Sequence, residues 1–288
     1  IAATDIGAQT GLLTNTLRLS PGTFDLVIMD ESSRETLAGA LVPIQFLQNN
    51  GKLILVGDTK QLPPFGVTHQ QQKELGLNPE DAAIYNTSVF ETLLESPRLS
   101  GERVMLSTNY RSHPLIAGLV SKTMYDGDIH LRGWEDFDSE TLSLHVIDIF
   151  DEDEGGEEKE GEFYEEPAGE DKKSFLNTRS AQEVMKLVHR YQKSMALKDI
   201  TIITPYKPQV ELLKKLLKEN FRTIPEDKLP TVTTIDAYQG GENKAIIFDF
   251  VRSNPKGSIG FLDDIRRLNV GLSRAQENLA LIWDSRLF

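Results

Sequence analysis

Two adjacent carboxylates, Asp30 and Glu31, follow the apolar run FDLVIM at residues 24–29. Its four successive apolar residues, Leu26 to Met29, read as a strand covered on both faces, and α/β folds bind ligands just beyond the carboxyl ends of such strands. There the two carboxylates can divide labour. A strand-end Asp holds Mg²⁺, directly or through water, while the neighbouring Glu accepts a proton from an attacking water, as in phosphate hydrolysis. A solvated loop explains the pair equally well when it is taken alone. Further on, a second apolar run, KLILVGD at 52–58, leads into TKQLPP. Gly57 permits close backbone approach, and Asp58 and Gln61 project toward the same edge as Asp30. The Gln61 amide both donates and accepts, which suits it to reading a γ-phosphate and orienting water, and Pro63 and Pro64 stiffen the loop after it. In isolation this stretch also reads as a plain strand exit punctuated by proline.

The elements that must position these groups are legible as alternating strand and helix patterns. Strand-like runs occur at Phe24 to Met29, Lys52 to Val56, Leu144 to Phe150, Ile200 to Thr204, Val232 to Ile235, Lys244 to Phe250 and Leu279 to Trp283. Between them, Ser88 with Glu91 and Ser180 with Glu183 have capping-box spacing, which marks helix starts. Ala181, Val184, Met185, Val188 and Tyr191 recur at helical spacing, as do Val210, Leu213, Leu216 and Leu217, and both stripes read as core faces. Alternation through most of the length predicts an α/β fold with parallel sheets and helices on both faces.

The 288 residues suffice for one large α/β domain or two modest ones. No run approaches the roughly 18 apolar residues of a membrane span. With no cysteine, a disulfide framework, a Cys-based zinc site and a thiol nucleophile are all excluded. Five dispersed histidines (His69, His113, His130, His145, His189) show no metal-ligand spacing. A net charge of −13 argues at first against a nucleic-acid partner. Residues 151–171 hold 12 carboxylates and one Lys, however, so the other 267 residues carry only −2. Such an acidic, glycine-bearing run buries too little apolar surface to offset its ordering entropy, and a disordered insertion is expected there.

Four further blocks follow the first two in order: LSTNYRSHP at 106–114, TIITPYKPQ at 201–209, VTTIDAYQGGENKAIIFDFVRS at 232–253 and GFLDDIRRLNVGLSRAQENLALI at 260–282. With DESS and GDTKQLPP, the series resembles the C-terminal motifs of superfamily 1 helicases, in the branch of the nonsense-mediated-decay helicase, senataxin-like helicases and the immunoglobulin-mu-binding helicase. The resemblance covers roughly residues 1–150 and 172–288. It implies two RecA-like domains, the first incomplete, with ATP in the cleft between them: residues 1–98, and residues 99–288 with the insertion at 151–171. By the same likeness Asp30 holds Mg²⁺, Glu31 activates water and Gln61 senses the γ-phosphate. Arg111 and Arg274 match the family arginines that reach the phosphates, a role suited to a planar, permanently charged guanidinium. Tyr110 matches a position near the adenine, and Gln239, Gly241 and Glu242 match the motif that approaches the nucleotide. For the nucleic-acid strand the matching positions are Pro64, Thr204, Pro205, Tyr206 and Thr234. Thr204 and Pro205 can equally be read as ending a strand, and Tyr206 as part of a core.

The sequence departs from the family in two places. It contains no GxxxxGK loop followed by Ser or Thr, since Gly51 and Lys52 precede Leu53. It is therefore read as part of a longer motor, inactive on its own, and Ile1 as lying inside the first domain. DESSR places Arg34 where Gln is common, which weakens any coupling role at that position. The expected function is an ATP-dependent helicase or translocase on RNA or single-stranded DNA. Its partners would be that strand and protein regulators, its location intracellular, cytoplasmic or nuclear. The alternative is a non-catalytic nucleic-acid-binding or scaffold protein built on the same body.

Overall fold

The computed structural model describes residues 18–131, 144–150, 163–169 and 173–287. The chain divides into two units between Met105 and Leu106, shortly after a 3-10 turn at Pro97–Glu102.

In the first unit, strand β1 (Phe24–Met29) is followed by helix α1 (Leu37–Ile44), strand β2 (Leu47–Leu55) and three short helices, α2 (His69–Glu74), α3 (Pro79–Asn86) and α4 (Val89–Leu94). Each helix starts on a side-chain cap: Thr36, Thr68, Asn78 and Ser88 each accept from a backbone nitrogen in the first turn. Ser88 takes the Glu91 nitrogen at 3.0 Å, as the spacing predicts. Strands β1 and β2 are parallel, with Ile28 opposite Ile54 and Met29 opposite Leu55. Strand alternation puts Val27, Met29, Leu53 and Leu55 on one face, packed against Ala40, Ile44, Val89 and Leu93. On the other face Leu26, Ile28 and Ile54 are exposed, so among the described residues helices cover only one side of this sheet.

The second unit runs β3 (Thr108–Asn109), α5 (Pro114–Met124), β4 (His130–Leu131), β5 (Leu144–Asp148), β6 (Glu165–Ala168), β7 (Ser174–Asn177), α6 (Thr178–Tyr191), β8 (Ile200–Thr204), α7 (Lys207–Asn220), β9 (Thr231–Thr234), β10 (Asn243–Asp249), α8 (Ile265–Leu272) and β11 (Ala275–Trp283). Five strands form one parallel sheet in the order β5-β11-β10-β8-β9. The apolar runs ITIIT and AIIF are buried throughout, the pattern of strands covered on both faces. Ile200, Ile202, Ala245 and Ile247 pack against Ala181, Val184 and Val188 of α6 and Leu213 and Leu217 of α7. Residues of the opposite parity face α8, where a Cβ on Gly271 would lie 2.1 Å from the Phe248 ring. Both helical stripes read from the sequence thus lie against the core. Among the described residues no helix is long and apolar enough to cross a membrane.

Two expectations are corrected. Helix α6 is capped by Asn177, whose side chain takes the Ser180 nitrogen at 3.0 Å, so the cap lies three residues before the expected Ser180. The expectation of a disordered insertion at 151–171 fails in its later part. Residues 151–162 and 170–171 lie outside the described residues, but Glu165–Ala168 is strand β6, paired antiparallel with β7. Its carboxylate explains why: Glu165 Oε2 meets Arg252 Nε at 2.7 Å, with the side chains 11% and 5% exposed. A buried counter-charge turns an acidic residue from a solvated group into a structural one.

Candidate active site

In the first unit the loops after β1 and β2 are laced together. Ser32 donates from its backbone nitrogen and from its hydroxyl to the Val56 carbonyl, each at 2.8 Å. The Ser33 hydroxyl accepts from the Asp58 nitrogen at 3.2 Å. This approach requires Gly57, because a Cβ there would lie 2.8 Å from the Ser33 nitrogen. Asp30 and Glu31 stand exposed immediately beyond β1. Glu31 has a left-handed backbone, φ 52 and ψ 30, and its nitrogen donates to Asp30 Oδ1 at 2.9 Å. That conformation costs a non-glycine residue on the order of 1 kcal/mol, so the lacing holds Glu31 against its own preference. Asp58 in turn fixes the amide of Gln61, which donates from Nε2 to Asp58 Oδ2 at 2.9 Å, while the Lys60 nitrogen donates to Oδ1 at 2.9 Å. Pro64 is buried.

In the second unit a polar cluster forms where β10 and β11 begin. Arg111 Nε meets Glu242 Oε2 at 2.6 Å, and its Nη1 donates to the Ser273 carbonyl at 3.5 Å. Arg274, 2% exposed, donates from Nε to the Val270 carbonyl at 2.9 Å and from Nη1 to the Gly241 carbonyl at 3.4 Å. Gln276 Nε2 donates to Glu242 Oε1 at 2.9 Å. Four sequence-singled residues, Arg111, Gly241, Glu242 and Arg274, are therefore brought together. Gly241 is needed for packing, since a Cβ would meet the Tyr238 ring at 2.9 Å. The Gln239 amide is buried beside it with neither its nitrogen nor its oxygen partnered among the described residues. The Tyr110 side chain is 68% exposed. His113 caps α5, its Nδ1 accepting from the Leu115 nitrogen at 3.2 Å, and burial pushes its pKa below the ordinary value.

The second unit also holds Thr204, Tyr206 and Thr234, three of the residues matched to nucleic acid. Thr204 and Thr234 are register partners at the ends of β8 and β9. Thr204 is fully buried, with its hydroxyl unpartnered among the described residues, whereas Thr234 is partly exposed. Tyr206 is a packing residue in this structure. It is 2% exposed, its ring stands edge-on to Phe175 and Phe261 at 5.4 and 5.6 Å, and its hydroxyl accepts from Arg252 at 3.3 Å. Nearby, the buried Asp249 at the end of β10 accepts from Gln209 Nε2 at 2.6 Å, the Val251 nitrogen at 3.0 Å and the Ser180 hydroxyl at 3.1 Å. Burial pushes its carboxyl up to about 6, against the pull of those hydrogen bonds.

A family model described as an AAA domain matches residues 85–286, and a second, also described as an AAA domain, matches residues 1–69. The chain belongs to this family, within the superfamily 1 helicases. Its similar relatives include the DNA-binding protein SMUBP-2 of Mesocricetus auratus, 31% identical over 99% of this chain and 27% of that protein. An uncharacterized ATP-dependent helicase, MJ0104 of Methanocaldococcus jannaschii, is 28% identical over 100% of this chain and 40% of its own length. The DNA polymerase alpha-associated DNA helicase A of Schizosaccharomyces pombe is 31% identical over 91% and 37%. The chain thus spans well under half the length of these curated relatives.

The ion expected from the sequence is Mg²⁺. Asp30 fits it: one carboxylate oxygen accepts from the Glu31 nitrogen, and among the described residues the other accepts no hydrogen bond. Mg²⁺ commonly takes one or two carboxylates together with substrate phosphates and water. Among the described residues no three His, Cys, Asp or Glu side chains gather into an all-protein metal site. Sequence reading did not find the parts of Ser32, Ser33, Ser273 and Gln276. Hydroxyls, amides and a backbone carbonyl at element ends carry no periodic signal, and their partners lie 24 to 162 residues away.

Proposed function

We propose that this chain is part of the motor of an ATP-driven helicase or translocase acting on RNA or single-stranded DNA. The observation that carries the reading is the convergence of Arg111 and Arg274 on the Gly241–Glu242 turn, although 162 residues separate Arg111 from Ser273. A turn that collects two guanidinium groups suits a polyanionic substrate. In the reaction, water attacks the γ-phosphorus, the bond to the bridging oxygen of ADP breaks, and phosphate departs. Glu31 takes the proton of the attacking water, and Gln61 orients that water through the amide that Asp58 holds. Mg²⁺, held through Asp30, would neutralise charge on the phosphate oxygens. Arg111 and Arg274 supply positive charge to the transferred phosphoryl group, and Gln239, Gly241 and Glu242 line the approach to the nucleotide, with Tyr110 beside the base. The names of the relatives, which include DNA-binding and ATP-dependent proteins, support nucleic acid and ATP as substrates. Pro64, Thr204 and Thr234 are assigned to the strand by their motifs, with Thr234 the partly exposed one of the three; Tyr206 acts through packing. Protein regulators and a cytoplasmic or nuclear location accompany this reading.

We take the first RecA-like domain as residues 1–98 and the second as 99–288. The 288 residues contain no GxxxxGK-Ser/Thr loop, so alone they are expected to hydrolyse ATP negligibly. In the full-length gene product, Glu31→Gln is expected to bind ATP as tightly as wild type and to lose hydrolysis by about 100-fold or more. Titration with a fluorescent ATP analogue and phosphate release measure the two. Hydrolysis at the wild-type rate would remove Glu31 from the mechanism.

A further inference from the structure

Both oxygens of Glu242 are engaged by side chains. Oε2 takes Arg111 Nε at 2.6 Å and Oε1 takes Gln276 Nε2 at 2.9 Å. Gln276 is itself anchored at the start of β11, where its carbonyl accepts from the His113 nitrogen at 2.7 Å. One residue earlier, the Ala275 carbonyl accepts from the Ser112 hydroxyl, also at 2.7 Å. The same two residues of β11 therefore grip the loop that carries Arg111 and the carboxylate with which Arg111 pairs.

The pair itself is 40% and 44% exposed, where solvent leaves an ion pair weak and free to rearrange. With Oε1 held by the Gln276 amide, the carboxylate is oriented so that Oε2 is the oxygen facing Arg111. It holds the guanidinium through Nε, with Nη1 reaching no further than the Ser273 carbonyl at 3.5 Å, and so leaves the far edge of the fork to another acceptor. Released from Gln276, the carboxylate can turn and take Arg111 through two nitrogens, drawing the positive charge onto itself.

We propose that Gln276 is a positioning residue, locking Glu242 so that Arg111 is held from one side and presents its remaining nitrogens to a nucleotide phosphate. The proposal deepens the reading above and rests on the phosphate-contacting role of Arg111. In the full-length gene product, Gln276→Met is expected to lower kcat for ATP hydrolysis about 5-fold at unchanged KM, a discounted value for one hydrogen bond to a charged group. In a Glu242→Gln background the same substitution is expected to have no further effect, because the amide then has no carboxylate to orient. Gln276→Glu, which sets a like charge against Glu242, is expected to lower kcat further than Gln276→Met. A wild-type kcat for Gln276→Met, an equal fall in both backgrounds, or a milder effect of Gln276→Glu overturns the proposal. Arg111→Lys separates the two levels. Wild-type hydrolysis by Arg111→Lys would remove the role of Arg111 and this proposal with it, whereas an inactive Arg111→Lys beside a normal Gln276→Met would overturn the part of Gln276 alone.

Discussion

Glu31 occupies backbone space that few residues other than glycine enter, and what keeps it there is its own backbone bonding to Asp30 and Arg34 together with the Ser32 bonds to Val56. The same logic governs Gln61, whose amide is steered by Asp58. Removing the Asp58 carboxylate should therefore act on hydrolysis and not on binding. Asp58→Ala is expected to lower kcat about 10-fold with little change in KM, measured by steady-state hydrolysis. An unchanged kcat with a raised KM would assign Asp58 to binding instead. At this scale the sequence singles out the residues whose neighbours in the chain mark them: Asp30 and Glu31 follow an apolar run, and Gln61 lies four residues after Gly57. It concealed those defined by distant partners. Tyr206 sits in a motif matched to nucleic acid, yet Arg252, 46 residues on, binds its hydroxyl, and two rings enclose it. Gln276 has an unremarkable place at a strand start, and only the fold brings Glu242 to it.

Among elements, the long apolar strands of the second unit were legible because burial on both faces demands unbroken apolar runs, and β8 and β10 obey. Strand β2 was read from Lys52, whereas it begins at Leu47. Gln48, Asn49 and Asn50 look like a loop, and they lie in the register irregularity between Leu47, paired with Phe24, and Lys52, paired with Leu26. Strand β6 was hidden by composition, since nothing local distinguishes Glu165 from its acidic neighbours before Arg252 is in place. The ends of α6, α7 and β10 meet at Asp249, and this junction should respond to pH. Its carboxyl lies at about 6 in the folded chain against 3.8 for an ordinary Asp, so the native state binds the proton more tightly. Stability from this group is present at low pH, falls as pH rises from 3.8 to 6, and is flat above. The change across that window is on the order of 3 kcal/mol. Asp249→Asn should remove it, so the difference in urea midpoint between variant and wild type should change with pH inside the window. A constant difference would show that Asp249 is not the titrating group.

At the scale of the whole molecule, the charge of −13 misleads until it is located, because nearly all of it lies in residues 151–171 and the remainder is close to neutral. The order of six motifs along the chain predicted a two-part α/β architecture, and two units with parallel sheets are present. What the order of motifs could not supply is the state of Arg274. Its guanidinium is 2% exposed and tied to the carbonyls of Val270 and Gly241, an arrangement it must exchange for phosphate if it serves hydrolysis. The most direct measurement is accordingly the rate of ATP hydrolysis by Arg274→Ala in the full-length gene product at saturating ATP, with ATP affinity and thermal melting recorded alongside. The account predicts a fall of about 1,000-fold with affinity nearly kept. A folded variant that hydrolyses ATP at the wild-type rate would contradict it.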